Sequence, residues 1–246
     1  MRKALLMAAL AAAVVGGAFG CSGKEAKDKA ASAADTAARQ PPSFSTFTDS
    51  RDGKVYKMVE VGEQTWMAEN LNYAAEGSRC YGEGVKVHWK DTQKLSPDDV
   101  QAKCAKYGRL YDWETAKKAC PAGTHLSTDR EWTTLVDYAG GWETAGKKLK
   151  LSTYWESDGE VPASTNEYGF SALIGGYGGY GKTRDGSRGD LFYTIHGGFW
   201  WSATGIDADL ALMRRMNYHD DKVYRNSNIK TNLFSIRCVA DKEAQK

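Results

Sequence analysis

The chain has little surplus charge. Among its 246 residues, 33 lysines and arginines stand against 31 aspartates and glutamates, and Arg2 and Lys3 lie at the very start. Without these two residues, the basic and acidic side chains balance. Surfaces that bind nucleic acid or other acidic polymers need an excess of positive charge. The composition therefore argues against both as the main partner.

Proline is scarce as well, with five residues, whereas there are 26 glycines, eight tryptophans and 13 tyrosines. Many glycines together with amphipathic rings are typical of a loop-rich fold whose aromatic side chains are partly exposed to water. The length suggests one domain of ordinary size with short appendages.

The common catalytic and phosphate-binding motifs are missing. There is no G-x-S-x-G, H-E-x-x-H or Walker loop in a fitting context, and GGYGGYG lacks the strand and helix that a phosphate loop requires. No two cysteines have C-x-x-C spacing, and the four histidines do not cluster with the cysteines in sequence, which disfavours a zinc site. The histidines are His88, His125, His196 and His219.

Residues 1–20 combine a basic start, a short apolar run and small residues, and no stop-transfer pattern follows. This pattern predicts a secretory signal peptide rather than a membrane span. Cys21 follows directly in GAFGC, which resembles the lipobox of bacterial lipoproteins, whose cysteine is lipidated and becomes the new N-terminus. We predict lipidation of Cys21; the alternative is ordinary cleavage that leaves its thiol free.

Residues 21–42 are small, charged and nearly without aliphatic side chains, so they cannot bury enough apolar area to fold. They are predicted to be a flexible tether between the lipid and the domain. The folded domain is expected at 43–241, with a polar tail at 242–246. Ser22 follows Cys21 in place of an aspartate linked to inner-membrane retention, which favours the outer membrane.

Four cysteines remain in the predicted domain: Cys80, Cys104, Cys120 and Cys238. An even number in an exported chain predicts two disulfides, with three possible connectivities. A catalytic thiol would more often leave an odd cysteine in the domain.

The first half of the domain carries clear local signals. Residues 52–73 predict a β-hairpin, and residues 97–105 predict a short helix with proline at its first position and acids in its first turn. Asp112 is the expected N-cap of a helix that must end before Pro121. The next helix has a capping box, an apolar stripe and a terminating Gly-Gly pair, formed by Thr128, Glu131, Trp132, Leu135, Val136, Ala139, Gly140 and Gly141.

Helical periodicity largely disappears after about residue 145. A glycine-rich loop is expected after GFSALI, and the segments GGFWWSAT, DLALMRRMNY, KVYRNSN and LFSIRCVAD are expected to be antiparallel strands. In the last of these, Phe234, Ile236 and Cys238 alternate, which puts all three on the inward face.

Several separate motifs occur in the order in which one family has them: DGKVYKMVEVGEQTWMAENLNY, CAKYGRLYDWETAKKACPAGTHLSTDREWTTL, GFSALIGGY, FWWSAT and FSIRCVAD. With these motifs the chain resembles the Fibrobacter succinogenes major paralogous domain from about residue 47 to 241. Residues 82–100 look like an insertion relative to that family.

The resemblance implies an α+β domain with the C-type-lectin-like fold, which the formylglycine-generating enzymes share. Two short helices then flank small twisted antiparallel sheets, and long irregular loops carry function. The resemblance also implies a disulfide from the first helix to the last strand, Cys120–Cys238, and therefore a second one, Cys80–Cys104.

The enzyme relatives bind copper through a pair of cysteines just before their closing segment. This chain has no cysteine there before Cys238, which is assigned to a disulfide, so a soft ligand for copper is missing. We predict that the protein is not an enzyme and keep a divergent enzyme of this type as a disfavoured alternative. His125 and the turn His219-Asp220-Asp221 are interpreted as structural.

Aromatic side chains in the glycine-rich region favour a binding function, because sugar rings pack on aromatic planes while their hydroxyls need polar partners. Trp200 and Trp201 are adjacent in a predicted strand, so one ring is expected to face the core and the other the solvent. The candidate ligand-binding residues are Tyr177, Tyr180, Arg184, Asp185, Trp200 and Trp201.

Lectin-type calcium binding would need a Glu-Pro-Asn cluster and a following Trp-Asn-Asp, and neither is present; Pro162, Asn166 and Glu167 have the wrong spacing. No cofactor is predicted, and calcium is kept as an open alternative. The overall prediction is a lipid-anchored envelope protein with a binding or adhesion domain for a carbohydrate or surface polymer. The alternative is a structural envelope protein with protein partners only.

Overall fold

The structure is a computed structural model that describes residues 41–83, 95–152, 155, 164–182, 188–193 and 197–242. These residues all belong to one compact unit, Pro41–Lys246. The predicted signal peptide, Cys21 and nearly all of the tether lie outside the described residues. In the part that is described, no helix is long and apolar enough to span a bilayer.

The architecture is α+β. The described helices, α1 to α4, are Pro97–Tyr107, Trp113–Ala119, Asp129–Tyr138 and Ala145–Leu149. The strands, β1 to β10, are Phe44–Thr48, Val55–Val61, Gln64–Met67, Thr124–Leu126, Tyr177–Lys182, Arg188–Tyr193, Gly197–Gly205, Leu210–Asn217, Val223–Ile229 and Cys238–Ala240. They pair antiparallel in a five-stranded sheet (β1-β2-β3-β10-β4), a three-stranded sheet (β7-β8-β9) and a two-stranded hairpin (β5-β6).

The predicted hairpin at 52–73 is confirmed as β2 and β3, and Gly53 and Gly62 take positive φ at its two turns. The first strand, β1, was not predicted, because four of its five side chains are exposed and it is held by backbone pairing with β2. The three-residue β4 was also not predicted, since so short a strand leaves no alternation to detect.

The glycine-rich segment is not the loop that we predicted, because its ends pair as the hairpin β5-β6. Its glycines allow a close approach of the last segment of the chain. A Cβ on Gly178 would lie 3.0 Å from the Leu233 side chain, and one on Gly179 would lie 2.5 Å from the Asn232 amide oxygen. The close packing explains the glycines at these two positions of β5.

The helices begin where the capping residues predict. Asp112 caps α2, and Thr128 and Glu131 form the capping box of α3. The helix predicted at 97–105 is α1, which Ser96 caps with a box of its own. The resemblance implied two helices, whereas the described part has four; α4 escaped prediction because five residues are too few to show a period.

The two disulfides are Cys80–Cys104 and Cys120–Cys238, the pairing that the resemblance implies. The second bond joins the end of α2 to β10 across 118 residues of sequence. Together with β10, which lies between β3 and β4, it fastens the end of the domain to its beginning.

A fully buried cation joins five segments of the chain. Arg237 donates to Asn70 Oδ1 at 2.7 Å and to the carbonyl oxygens of Met67, Phe170 and Ser171 at 2.5–3.0 Å. Asn70 Oδ1 also accepts from Trp200 Nε1 at 2.8 Å. The described hydrogen-bond partners of the buried guanidinium are thus neutral oxygen acceptors. Since a buried charge is costly without such partners, every segment that supplies an acceptor must be in place for the domain to be stable.

We expect Arg237→Met to lower the free energy of unfolding by about 3–5 kcal/mol, because several buried acceptors lose their donor and each costs about 1–3 kcal/mol when left unsatisfied. Denaturant unfolding monitored by tryptophan fluorescence measures this loss. Arg130→Met is the matched control, since Arg130 is exposed and its replacement should change stability by less than about 0.5 kcal/mol. Equal effects of the two substitutions would contradict the role given to Arg237.

Candidate functional site

The candidate residues Trp200 and Trp201 are both fully buried, which corrects the expectation that one of them faces solvent. Their rings do alternate across β7, but each face of the strand is covered. The Trp200 ring lies 6.0 Å from that of Trp132 on α3, and the Trp201 ring lies 4.4 Å from that of Phe234. Trp201 Nε1 donates to Tyr111 O at 2.9 Å. Neither ring can contact a ligand without unfolding its surroundings.

The other candidates do not form a site around these rings. Tyr177 is half-buried on β5, and its ring lies 5.0 Å from that of Phe199. Tyr180 is paired with Asp190 in the β5-β6 hairpin, and its side chain lies outside the described atoms. Arg184 and Asp185 lie outside the described residues.

An exposed ring lies instead at Trp142, which no sequence pattern singled out. Trp142 is 52% exposed and follows Gly140 and Gly141, whose positive φ values end α3 and turn the chain outward. Its carbonyl accepts from Val223 N–H at 2.8 Å, and the Lys222 ammonium lies 5.2 Å from its ring centre. The ring is therefore attached to the turn between β8 and β9. We call Trp142 and residues 217–224 the hairpin tip.

Asp220 organises the polar side of the hairpin tip. Its Oδ2 accepts from the Tyr224 hydroxyl at 2.8 Å and lies 3.3 Å from His219 Nε2, while Oδ1 accepts from Lys222 N–H at 3.0 Å. Burial opposes ionisation of Asp220, but these hydrogen bonds outweigh it and hold the pKa of the carboxyl below its usual range. The bond to Asp220 in turn raises the pKa of Tyr224. The tip thus carries a fixed carboxylate beside a phenol and an imidazole.

Lys150 holds the hairpin tip from beneath. Its ammonium is buried at the end of α4 and donates to Asn217 O at 2.5 Å and to Asp220 O. Burial lowers the pKa of Lys150 to about 8, against the opposing effect of Asp220 and Asp221. Because the ammonium bonds to backbone atoms, it fixes the course of the turn rather than any single side chain.

The arrangement suits the binding of a polyhydroxylated ligand. An exposed indole offers a flat apolar surface, and Asp220, His219 and Tyr224 offer acceptors and donors on the turn whose Lys222 lies beside that indole. The sequence contained two signals for this surface: a tryptophan directly after Gly-Gly, and the polar turn that was interpreted as structural. Only the fold brings them together. No group of three or more histidine, cysteine or acidic side chains in the described ranges is arranged to hold a metal ion.

The family model of the Fibrobacter succinogenes major domain matches residues 59–240. The chain belongs to this family. No significant match was found among the curated proteins or among the solved structures.

The family segment contains most of the features described above. It begins within β2 and ends with β10, so both disulfides, Arg237 and the hairpin tip are part of the Fibrobacter succinogenes major domain. The strand β1 precedes the match, and Asp241 follows it directly.

His125, on β4, connects the start of α3 to Asp241. Its Nδ1 lies 2.6 Å from Asp241 Oδ1 and its Nε2 lies 2.8 Å from Glu131 Oε1. The bond to Glu131, supported by that to Asp241 and opposed by burial, raises the pKa of His125 to about 9. At neutral pH the ring is a cation that donates from both nitrogens, so it has no free lone pair with which to act as a base.

We expect His125 to make stability depend on pH. Because its folded pKa of about 9 exceeds the unfolded value near 6.5, its contribution is fully present below pH 6.5 and is lost as the pH rises through 9. Thermal midpoints of the wild type and of His125→Gln should therefore converge between pH 6.5 and 10. His219→Gln is the control, since the ring of His219 is exposed and contacts one carboxylate rather than two. A midpoint difference that stays constant with pH would contradict this account.

Proposed function

We propose that the protein is a lipid-anchored lipoprotein of the bacterial envelope whose domain binds a carbohydrate or a surface polymer without catalysing a reaction. The observation that carries this proposal is the hairpin tip, where Trp142 is exposed beside fixed hydrogen-bonding groups. Exposing the apolar faces of an indole to water is unfavourable, and packing one of these faces against a sugar ring would remove it from water.

The non-enzymatic part of the proposal is supported by the cysteines. Cys238 is bonded to Cys120, and in the chain between residues 205 and 237 there is no other cysteine that could bind copper. His125 also supports a non-enzymatic role, because both of its ring nitrogens are bonded to carboxylates and neither can accept a proton from a substrate.

The finer fold assignment belongs to the same proposal. We infer a C-type-lectin-like fold from the small antiparallel sheets, the helices α2 and α3, and a disulfide that joins the end of a helix to the last strand. Such a fold would display the irregular segments between its strands for binding, and the hairpin tip is one of them.

Removal of the exposed indole should abolish ligand binding with little effect on folding. We expect Trp142→Ala, in the lipid-free mature chain 22–246, to weaken retention on the polysaccharides that hold the wild type by at least about tenfold, as for a buried aromatic anchor in an interface. Pull-down on a panel of insoluble polysaccharides, with and without calcium, measures retention.

Ile206→Ala is the matched control, because Ile206 is 51% exposed on a different turn. If the wild type is retained on no polysaccharide under either condition, carbohydrate binding is wrong and a structural role with protein partners becomes the better proposal. Retention that Trp142→Ala leaves unchanged would place the ligand elsewhere.

The anchor is supported by Cys21 in GAFGC after an apolar leader, and by the polar segment that follows it. We expect cells that express the full chain to incorporate labelled palmitate into the protein and to lose this label in Cys21→Ser. Cys80→Ser is the control, since it removes a different cysteine and should keep the label. A label that persists in Cys21→Ser would contradict lipidation at this residue.

A further inference from the structure

A groove of about 540 Å³ opens beside the first hairpin, away from any residue of the hairpin tip. Its floor contains the half-buried Leu151 and Leu173 and the small Ala68. Two large apolar side chains stand at its edge with most of their surface in water: Phe44 is 51% exposed and Val55 is 59% exposed. Exposed apolar side chains thus share this groove with polar ones, and the described part of the chain leaves them uncovered.

The strand register puts these side chains on one face. Val55 and Lys57 are two residues apart on β2, and β1 pairs beside them with Phe44 opposite Val59 and Thr46 opposite Lys57. The same face is buried further along β2, where Val59 packs into the core. This face of the sheet therefore continues past the core onto the surface, where it carries Phe44 and Val55 together with Lys57 and Thr46.

Lysines line the same groove. Lys54, Lys57 and Lys106 line the groove, and Glu69 is the single acid among the described lining residues. Glu69 Oε2 accepts from the backbone N–H of Lys57 at 3.2 Å. Lys54 forms an ion pair with Asp52 at 3.2 Å, and the Lys106 ammonium lies 4.9 Å from the ring centre of Tyr107. Lys57 and Lys106 are both exposed. Three lysines against one glutamate give the described lining an excess of basic side chains, in a chain whose charges nearly balance.

The groove adjoins the place where the chain enters the domain. Phe44 lines the groove, and a Cβ placed on Gly169 would lie 2.6 Å from the Phe44 ring and 3.0 Å from Pro42. Cys21 precedes Pro41 by 20 residues, so the lipid anchor proposed above would keep the domain within about 70 Å of the lipid surface even if those residues were fully extended. A domain anchored in this way would be held at an effective concentration near the millimolar range above the lipid surface, so that a weak contact would be occupied; this step rests on the proposed lipid anchor.

We propose that this face docks on an anionic phospholipid surface, with Lys57 and Lys106 contacting lipid phosphates and with Phe44 and Val55 entering the boundary between headgroups and acyl chains. Exposed apolar side chains flanked by lysines are the composition that such interfacial contacts require. The membrane fits better than a soluble polyanion, because a polyanion would engage the lysines and leave Phe44 and Val55 in water. The proposal does not depend on the ligand of the hairpin tip.

Co-sedimentation with vesicles tests the proposal on the mature chain 22–246 without Cys21, so that no lipid is attached to the protein. We expect it to bind vesicles of equal parts phosphatidylglycerol and phosphatidylcholine at about 0.1 M salt, and not vesicles of phosphatidylcholine alone. One lysine near an anionic surface is worth about fivefold in partitioning. The double variant Lys57→Glu and Lys106→Glu should therefore partition at least about 25-fold less.

The matched control is the double variant Lys118→Glu and Lys242→Glu, which changes the net charge equally at exposed lysines outside the groove. It should partition within about threefold of the wild type. Val55→Asn, which keeps all three lysines and adds no charge, should also weaken binding, and this distinguishes membrane docking from attraction of charge alone. Unchanged thermal midpoints show that the variants are folded.

Three results would overturn the proposal. The wild type could fail to bind the anionic vesicles, or the two double variants could lose binding equally, which would mean that net charge alone is responsible. The wild type could also bind soluble polygalacturonate through Lys57 and Lys106 without binding vesicles, which would assign the groove to an acidic polymer.

Discussion

The contact between Arg237 and Asn70 is the constraint on which most of this structure depends. A guanidinium with no exposed surface is stable only if every donor finds an acceptor, and its acceptors come from β3, from the segment after it and from residues 170–171. Asn70 extends the network to Trp200 on β7 and to Tyr107 at the end of α1. Segments without regular secondary structure thereby acquire fixed positions, because the loss of any one acceptor would leave a donor of the buried guanidinium without a partner.

The same logic links the core to both candidate surfaces. Asn70 and Ser171, which hold Arg237, also line the groove, so the walls of the groove are part of the buried network. At the end of α4, Lys150 reaches the carbonyls of the hairpin tip while the next residue, Leu151, lines the groove. The end of a helix that has no sequence signature thus serves both surfaces: Lys150 holds the hairpin tip, and Leu151 lines the groove.

Local chemistry made much of the fold predictable, and long-range packing set the limit. The capping residues Asp112 and Thr128 determine where α2 and α3 begin, because a cap needs only its own first turn. The burial of both Trp200 and Trp201 could not be predicted, since strand alternation puts them on opposite faces of β7 but does not tell whether other elements cover both faces. The resemblance supplied the disulfide pairing. The exposed position of Trp142 depends on contacts with Lys222 and Val223, 80 residues away in sequence, and no local pattern encodes such a contact.

Buried cations also change what the balanced composition means for the surface. Arg237 and Lys150 are buried and donate hydrogen bonds to backbone carbonyl oxygens. Arg214 is also buried and forms an ion pair with Asp129. In a loop-rich chain many carbonyls lack partners in helices or sheets, and basic side chains supply the donors. The described surface is consequently less positive than the count of lysines and arginines suggests. Against that background, the three lysines that line the groove with Phe44 and Val55 are a local feature. They favour a partner that presents negative charge and an apolar layer at one place, as the proposed lipid surface does, over a dispersed charged polymer.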